Sequence, residues 1–163
     1  MKTIRCFCGK DILLDDEVYE ELKDGSWSCV GLGVVRCTNS HTAIAHFVVA
    51  VYPKQVADHR DHNIHNNLRE NLRVATYSQN GANRKIGKNN TSGCKGVSWQ
   101  IKSRKWQVAI KKDGVTYYLG LFDSIRDAAL AYNKKAIELH GEFAKLNSEE
   151  MIQQAESMLC KAH

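Results

Sequence analysis

The sequence has no apolar run long enough to cross a bilayer. Its opening, Met1-Lys2-Thr3-Ile4-Arg5-Cys6, is broken by charge before any hydrophobic segment can form, so no secretory signal is visible. These absences argue against a helical membrane protein and predict cytoplasmic residence. Proline is nearly missing: Pro53 is the only one in 163 residues, and it marks the exit from an apolar stretch. There are no internal repeats and no low-complexity segments. Disulfides are not expected in a cytoplasmic chain, which leaves six cysteines to be explained otherwise. Cys6 and Cys8 form a Cys-x-Cys pair, but no second close pair follows to complete a zinc site. The expectation is therefore buried free thiols.

What is present is ordinary for a globular protein: 43% hydrophobic and 25% charged residues, in a length that suits one domain or two small ones. The net charge of +5 is unevenly placed. Residues 1–57 and 124–163 each carry −1, residues 58–90 carry +3 and residues 91–123 carry +4. A basic middle flanked by slightly acidic ends favours a polyanionic partner, attracted by steering and counterion release.

The stretch from Asp58 to Asn80 concentrates the chemistry. Asp58-His59 sets an imidazole beside a carboxylate, and the amides Asn71 and Asn80 follow. A base, a set of oxygen ligands for a hard cation and a positioning group are what phosphodiester hydrolysis needs. Val56-Ala57-Asp58-His59 reads as the end of a strand, Arg60 to Arg69 as a polar loop and Leu72 to Ala75 as the returning strand. Thr76 with Gln79 forms a capping box, so a helix is predicted from Tyr77, with Asn80 one turn inside it. His59, His62 and His65, three residues apart in a loop, are poorly spaced for a closed zinc site.

Around this unit, residues 1–25 form an entry segment with a short helix near the acidic run from Asp15 to Glu21. Residues 26–57 read as strands punctuated by Gly25, Gly31 and Gly33. The run from Ala43 to Val51 is either a buried strand or a short core helix, and its His46 is expected to be a hydrogen-bonded core residue. Residues 84–93 are basic and glycine-containing; this predicts a linker in which Arg84, Lys85 and Lys88 lie along phosphates. Beyond it, strands are predicted over 96–101, through Trp106, Val108 and Ile110, and from Val115 to Leu119, the last ended by Gly120. Ser124 caps a helix whose apolar face is Ile125, Ala128, Ala129, Tyr132, Ala136 and Leu139, with Gly141 as its stop. A second helix over 148–159 either packs back or serves in oligomerisation. Trp106, Tyr117 and Phe122 are assigned to the core; Trp99 and Tyr118 could face either way.

Asp58-His59, Asn66-Asn67, Glu70-Asn71-Leu72 and Ser78-Gln79-Asn80 resemble the HNH endonucleases carried by phages and mobile introns. Ser92-Gly93-Cys94-Lys95-Gly96-Val97, Lys105-Trp106, the Leu119–Asp123 run, the Ala128–Tyr132 run and the His140–Asn147 run resemble the DNA-binding domain of plant ethylene-response factors. Together these imply an α+β chain: an HNH ββα-metal nuclease domain over 1–83, the linker 84–93, a three-stranded antiparallel sheet on one helix over 94–147, and a helical tail over 148–163. The resemblance implies that His59 is the general base, that Asp58 and Asn80 hold one Mg²⁺ or Mn²⁺, and that Asn71 positions the loop. On the sheet it implies that Lys95, Ser98, Gln100, Lys102, Arg104, Lys105, Gln107, Lys111, Thr116 and Tyr118 face double-stranded DNA.

The implied reaction is hydrolysis to a 5′-phosphate and a 3′-hydroxyl. A monomer with one site would nick, acting in a bacterial or phage-infected cell without a small-molecule substrate. Asn80 stands where the family name has histidine, and His62 where many relatives have glycine. The alternatives are a catalytically silent DNA-binding regulator of the same ancestry and a zinc-stabilised interaction module.

Overall fold

The structure is a computed structural model that describes residues 1–30, 34–37 and 43–160. Gly31, Leu32 and Gly33, and the side chains of Val30, Val34, Val35, Arg36, Cys37 and Cys160, lie outside what is described. The chain divides into two compact units, Met1–Asn80 and Gly81–His163. The class is mixed: four small antiparallel sheets and five α-helices among the described residues. No described helix is long and apolar enough to cross a membrane.

In the first unit, β1 (Lys2–Arg5) pairs with β2 (Asp11–Leu14) through a turn in which Gly9 takes φ +81°, a conformation glycine adopts without steric cost. Strand periodicity turns Ile4, Ile12 and Leu14 inward. The helix α1 (Asp16–Leu22) buries Val18 and half-buries Tyr19 and Leu22 on the same side. Asp15 precedes it but does not cap it; its carboxylate accepts from the Arg69 backbone N–H at 2.8 Å. β3 (Trp27–Val30) pairs with β4 (Val34–Cys37). The apolar run resolves as α2 (Ile44–Val48), which buries Ile44, Ala45 and Val48. His46 falls on its outer side and is exposed, not a core residue: helical periodicity, unlike an all-buried strand, leaves one side of a short apolar run to solvent.

β5 (Gln55–His59) and β6 (Leu72–Thr76) form an antiparallel ribbon with Asp58 opposite Arg73 and His59 opposite Leu72. α3 (Tyr77–Asn83) follows at once. Its capping box is present: the Gln79 backbone N–H donates to Thr76 Oγ1 at 3.2 Å and the Thr76 N–H to Gln79 Oε1 at 2.8 Å.

In the second unit, β7 (Val97–Gln100), β8 (Lys105–Lys112) and β9 (Val115–Phe122) form a sheet in the order β7-β8-β9. β9 does not end at Gly120. The register slips between Val108 and Ala109, Gly120 takes φ +119° opposite the slip, and pairing resumes to Phe122. α4 (Ile125–His140) is capped by Ser124, whose hydroxyl accepts from the Arg126 and Asp127 N–H groups. Its Ile125, Ala128, Ala129, Tyr132 and Ala136 pack on Val97, Trp106, Val108 and Ile110. Alanines at the contact let helix and sheet approach closely, and Gly96 is part of the same fit. A Cβ there would lie 2.1 Å from the Tyr132 ring.

α5 (Glu149–Cys160) packs back, burying Ile152 and Ala155 in this core. Arg126 joins it to α4 through Glu149 at 2.8 Å and Glu156 at 2.8 Å. Tyr117 is not core; it lies at the sheet margin, 36% exposed, with the Lys135 ammonium 5.7 Å from its ring.

Two outcomes are expected. Gly96→Ala, which adds a clash with Tyr132 to a left-handed backbone (φ +73°), should cost about 3 kcal/mol by denaturant unfolding. Burial, then Lys112 and Lys95, hold the His140 imidazole below its ordinary value of 6.5. The unfolded chain then takes up a proton that the folded chain refuses, so stability is full above about pH 6.5 and falls as the pH drops toward the folded value. Hydrogen exchange in β7–β9 should quicken between about pH 7.5 and about pH 5.5 beyond the intrinsic change, and His140→Gln should remove that excess.

Candidate functional site

The site grows out of the loop that joins β5 to β6. Asp58 and His59 end β5, and Asn71 stands immediately before β6, its backbone carbonyl accepting from the Arg60 N–H at 3.0 Å. The Asn71 side chain is buried and spans the loop. Its Oδ1 accepts from the Asp61 N–H at 3.1 Å; its Nδ2 donates to Asp61 Oδ1 at 2.9 Å and to the Asn66 carbonyl at 2.7 Å. Asp61 is a second organiser. Burial alone would raise its carboxyl pKa, but donation from the Asn63 backbone, Asn66 and Asn71 holds it below the usual range. His62 takes φ +62°, which explains physically why glycine suits this loop position.

His59 is half-buried, and its Nε2 lies 3.2 Å from Asn67 Oδ1. Asn67 is 1% exposed and donates its Nδ2 to the Ile64 carbonyl at 3.0 Å. That bond orients the amide so that its oxygen meets His59, which puts the imidazole proton on Nε2 and the lone pair on Nδ1. Burial sets the His59 pKa below the ordinary imidazole value, with the Asn67 bond opposing. The imidazole is therefore neutral near pH 7.

Asp58 is 4% exposed and accepts from Arg73 Nε at 2.9 Å, directly across the ribbon. Arg73 was not singled out from the sequence, and Asn67 entered only as part of the Asn66-Asn67 motif, without a role of its own. Cross-strand register and loop curvature bring them in; the Leu72-Arg73-Val74 alternation would turn Arg73 outward, whereas it is buried and Val74 is exposed. Asn80 lies one turn inside α3 and is half-buried.

On the sheet of the second unit, Lys105, Gln107 and Lys111 alternate with the buried Trp106, Val108 and Ile110. Register places Ser98, Gln100, Thr116 and Tyr118 on the same face, turned away from α4. Lys102 and Arg104 are exposed in the β7–β8 turn, and Arg84, Lys85 and Lys88 are exposed in the preceding segment. Lys95 differs: its ammonium donates to the Ala82 and Arg84 carbonyls, and burial, with Lys145 nearby, lowers its pKa to about 8. Lys105 pairs with Asp123 at 3.1 Å. Trp99 lies opposite Trp106, ring to ring edge-on at 4.9 Å, rather than on the outward face.

Cys6 and Cys94 are buried free thiols, as expected, but Cys8 is exposed and Cys29 half-buried. Cys6, Cys8 and Cys29 are not isolated thiols: with His65 they form one cluster whose donor atoms all lie within 4.8 Å of one another. Hydrogen bonding to Cys29 is the first cause that lowers the Cys8 thiol to about 6, and the same contact, with burial, pushes Cys29 to about 12. The spacing of these four residues follows no compact motif, so only folding reveals the set. His65 turns to the thiols while His59 turns to Asn67, so the loop histidines do not act as one cluster.

Two relatives are informative. Over 88 residues the chain is 36% identical to Protein 3.8 of Escherichia phage T7, covering 54% of this chain and 72% of that protein. Over 90 residues it is 40% identical to an uncharacterized HNH endonuclease of Acanthamoeba polyphaga mimivirus, covering 55% of this chain and 46% of that protein. The chain thus spans less than half the length of the mimivirus protein. No family model matches the chain, and no solved structure matches it.

Asn71→Ala removes three hydrogen bonds from a buried position and should destabilise the first unit by about 2–3 kcal/mol in urea unfolding. Asn71→Asp should do no better, since it loses both donors and faces Asp61.

Proposed function

The chain belongs to one family with Protein 3.8 of phage T7, and from that footing, with its likeness to the mimivirus HNH endonuclease, we propose that it is a metal-dependent endonuclease of the HNH class acting on double-stranded DNA. The observation that carries this reading is the Asn71-braced loop, which sets a neutral His59 beside Asp58 at the end of β5. His59 is the general base: with its proton held on Nε2 by Asn67, Nδ1 takes a proton from the attacking water. Asp58 and Asn80 supply a carboxylate and an amide oxygen, the hard donor set that suits Mg²⁺ or Mn²⁺. A cation held by these two residues would supply positive charge against the phosphate and the leaving oxygen. Arg73 fixes the orientation of the Asp58 carboxylate. Asn71 acts on the base by holding the loop's shape.

The domain division follows the function. Residues 1–83 cut, residues 84–93 follow the phosphates, and the sheet of 94–147 lies against the duplex in the manner of the ethylene-response-factor domain. Its Ser98, Gln100, Gln107, Lys111, Thr116 and Tyr118 meet DNA. Lys95 serves chiefly to tie down the segment at Ala82 and Arg84. One site per monomer gives a nick with 5′-phosphate and 3′-hydroxyl ends.

Supercoiled plasmid incubated with the chain and Mg²⁺ should convert to open circles. The conversion should stop when Mg²⁺ is omitted, and it should slow by about 10²–10⁴-fold in His59→Ala with DNA binding retained. Linear product would instead indicate a dimer. Tight binding with no cleavage in Mg²⁺ or Mn²⁺ would replace the nuclease with the silent regulator.

A further inference from the structure

We propose that Cys6, Cys8, Cys29 and His65 form a closed four-ligand site for one zinc ion, which fastens the β5–β6 loop to the N-terminal strands. The four donor atoms converge on one point, with edges close to or somewhat shorter than those of a tetrahedral site. With bonds of about 2.3 Å to sulfur and about 2.0 Å to nitrogen, such a site has S···S edges of about 3.8 Å and S···N edges of about 3.5 Å. Here Cys6 Sγ lies 3.6 Å from Cys29 Sγ, Cys8 Sγ 3.5 Å from His65 Nε2, Cys29 Sγ 3.2 Å from His65 Nε2 and 3.0 Å from Cys8 Sγ. The two remaining edges are under 4.8 Å.

Neither thiol packing nor a disulfide accounts for this arrangement. Three weak S–H donors need no common focus, and a Cys8–Cys29 disulfide would leave Cys6 and the buried His65 without a role in it. Three thiolates and an imidazole select zinc over the hard cations. The site is therefore chemically distinct from the one assigned to Asp58 and Asn80, and it stands whether or not the chain cuts DNA.

The backbone prearranges every ligand. Cys6 and Cys8 lie on a tight turn closed by Cys6 N–H to the Lys10 carbonyl and Gly9 N–H to the Cys6 carbonyl, each at 2.9 Å. The Phe7 N–H donates to the Trp27 carbonyl at 2.9 Å and so ties that turn to β3, which carries Cys29. Leu13 donates to the His65 carbonyl at 2.8 Å and accepts from the Asn67 N–H at 3.0 Å, which docks the loop on β2. His65 and Asn67 are two residues apart, so an ion on His65 would restrain the residue that orients His59. Because the ligands come from three separate stretches, the ion would close long loops, and its binding energy would be folding energy.

The test uses the full chain, purified without chelator and analysed for metal by mass spectrometry. One zinc per chain is expected, lost in Cys29→Ser and His65→Ala and kept in His65→Cys. Since a variant can fail to fold, wild type is also stripped under reducing conditions and titrated with Co²⁺. Intense visible bands of tetrahedral thiolate-bound cobalt, bleached by one equivalent of Zn²⁺, are expected. Hydrogen exchange over residues 60–71 should quicken on stripping and slow again with zinc. A wild-type chain that arrives without zinc and gives only the weak spectrum of hydrated cobalt would overturn the proposal. So would a Cys8–Cys29 disulfide found by mass spectrometry in the freshly isolated chain. None of these readouts involves DNA, so failure of the zinc site and failure of the nuclease reading are told apart.

Discussion

Asn71 closes the β5–β6 loop from inside with three hydrogen bonds to its backbone and to Asp61. The rest of the first unit depends on that constraint. A loop of polar residues has no hydrophobic reason to hold one shape; its order comes from satisfied amides and carbonyls. Asp61 gathers three donors, Asn67 bridges the Ile64 carbonyl and His59, and the Arg69 N–H is held by Asp15. Each bond is modest alone. Together they fix which nitrogen of His59 carries the lone pair, and that is a chemical property rather than a packing one.

Asp58 and Arg73 illustrate how the same ribbon handles charge. Both are nearly inaccessible and face each other across the pairing. Removing either partner would take a charge-assisted hydrogen bond from a buried group, a loss that typically costs about 1.5–3 kcal/mol. A carboxylate oriented inside a small domain needs such a partner. Arg73 therefore fixes the Asp58 carboxylate from across the ribbon.

The second unit is held differently, by shape. β8 sends alternate residues into α4, and small residues on the helix admit the close approach that Gly96 and Tyr132 complete. The outward face is left polar, with Gln107, Lys111 and Thr116 in one band. α5, anchored by Arg126 to Glu149 and Glu156, completes the core with Ile152 and Ala155. A surface built this way holds its shape because its inner side is close-packed.

Local patterns in the sequence determined much of this: the capping box at Thr76 and the Ser124 N-cap, the alternation through Trp106, Val108 and Ile110, the helical face of Ile125 to Ala136, and the Asp58-His59, Asn71 and Asn80 order. These depend on neighbours within a few residues, where backbone geometry is set by local sterics and hydrogen bonding. Tertiary structure alone decided the side of α2 on which His46 falls, the continuation of β9 past Gly120 and the withdrawal of Lys95 to carbonyls. It also decided the Arg73 and Asn67 partnerships and the meeting of Cys6, Cys8, Cys29 and His65. Each of these joins stretches separated along the chain or turns on which face a neighbouring element covers. No spacing in the sequence encodes such a distance until the hydrophobic core brings the stretches into contact.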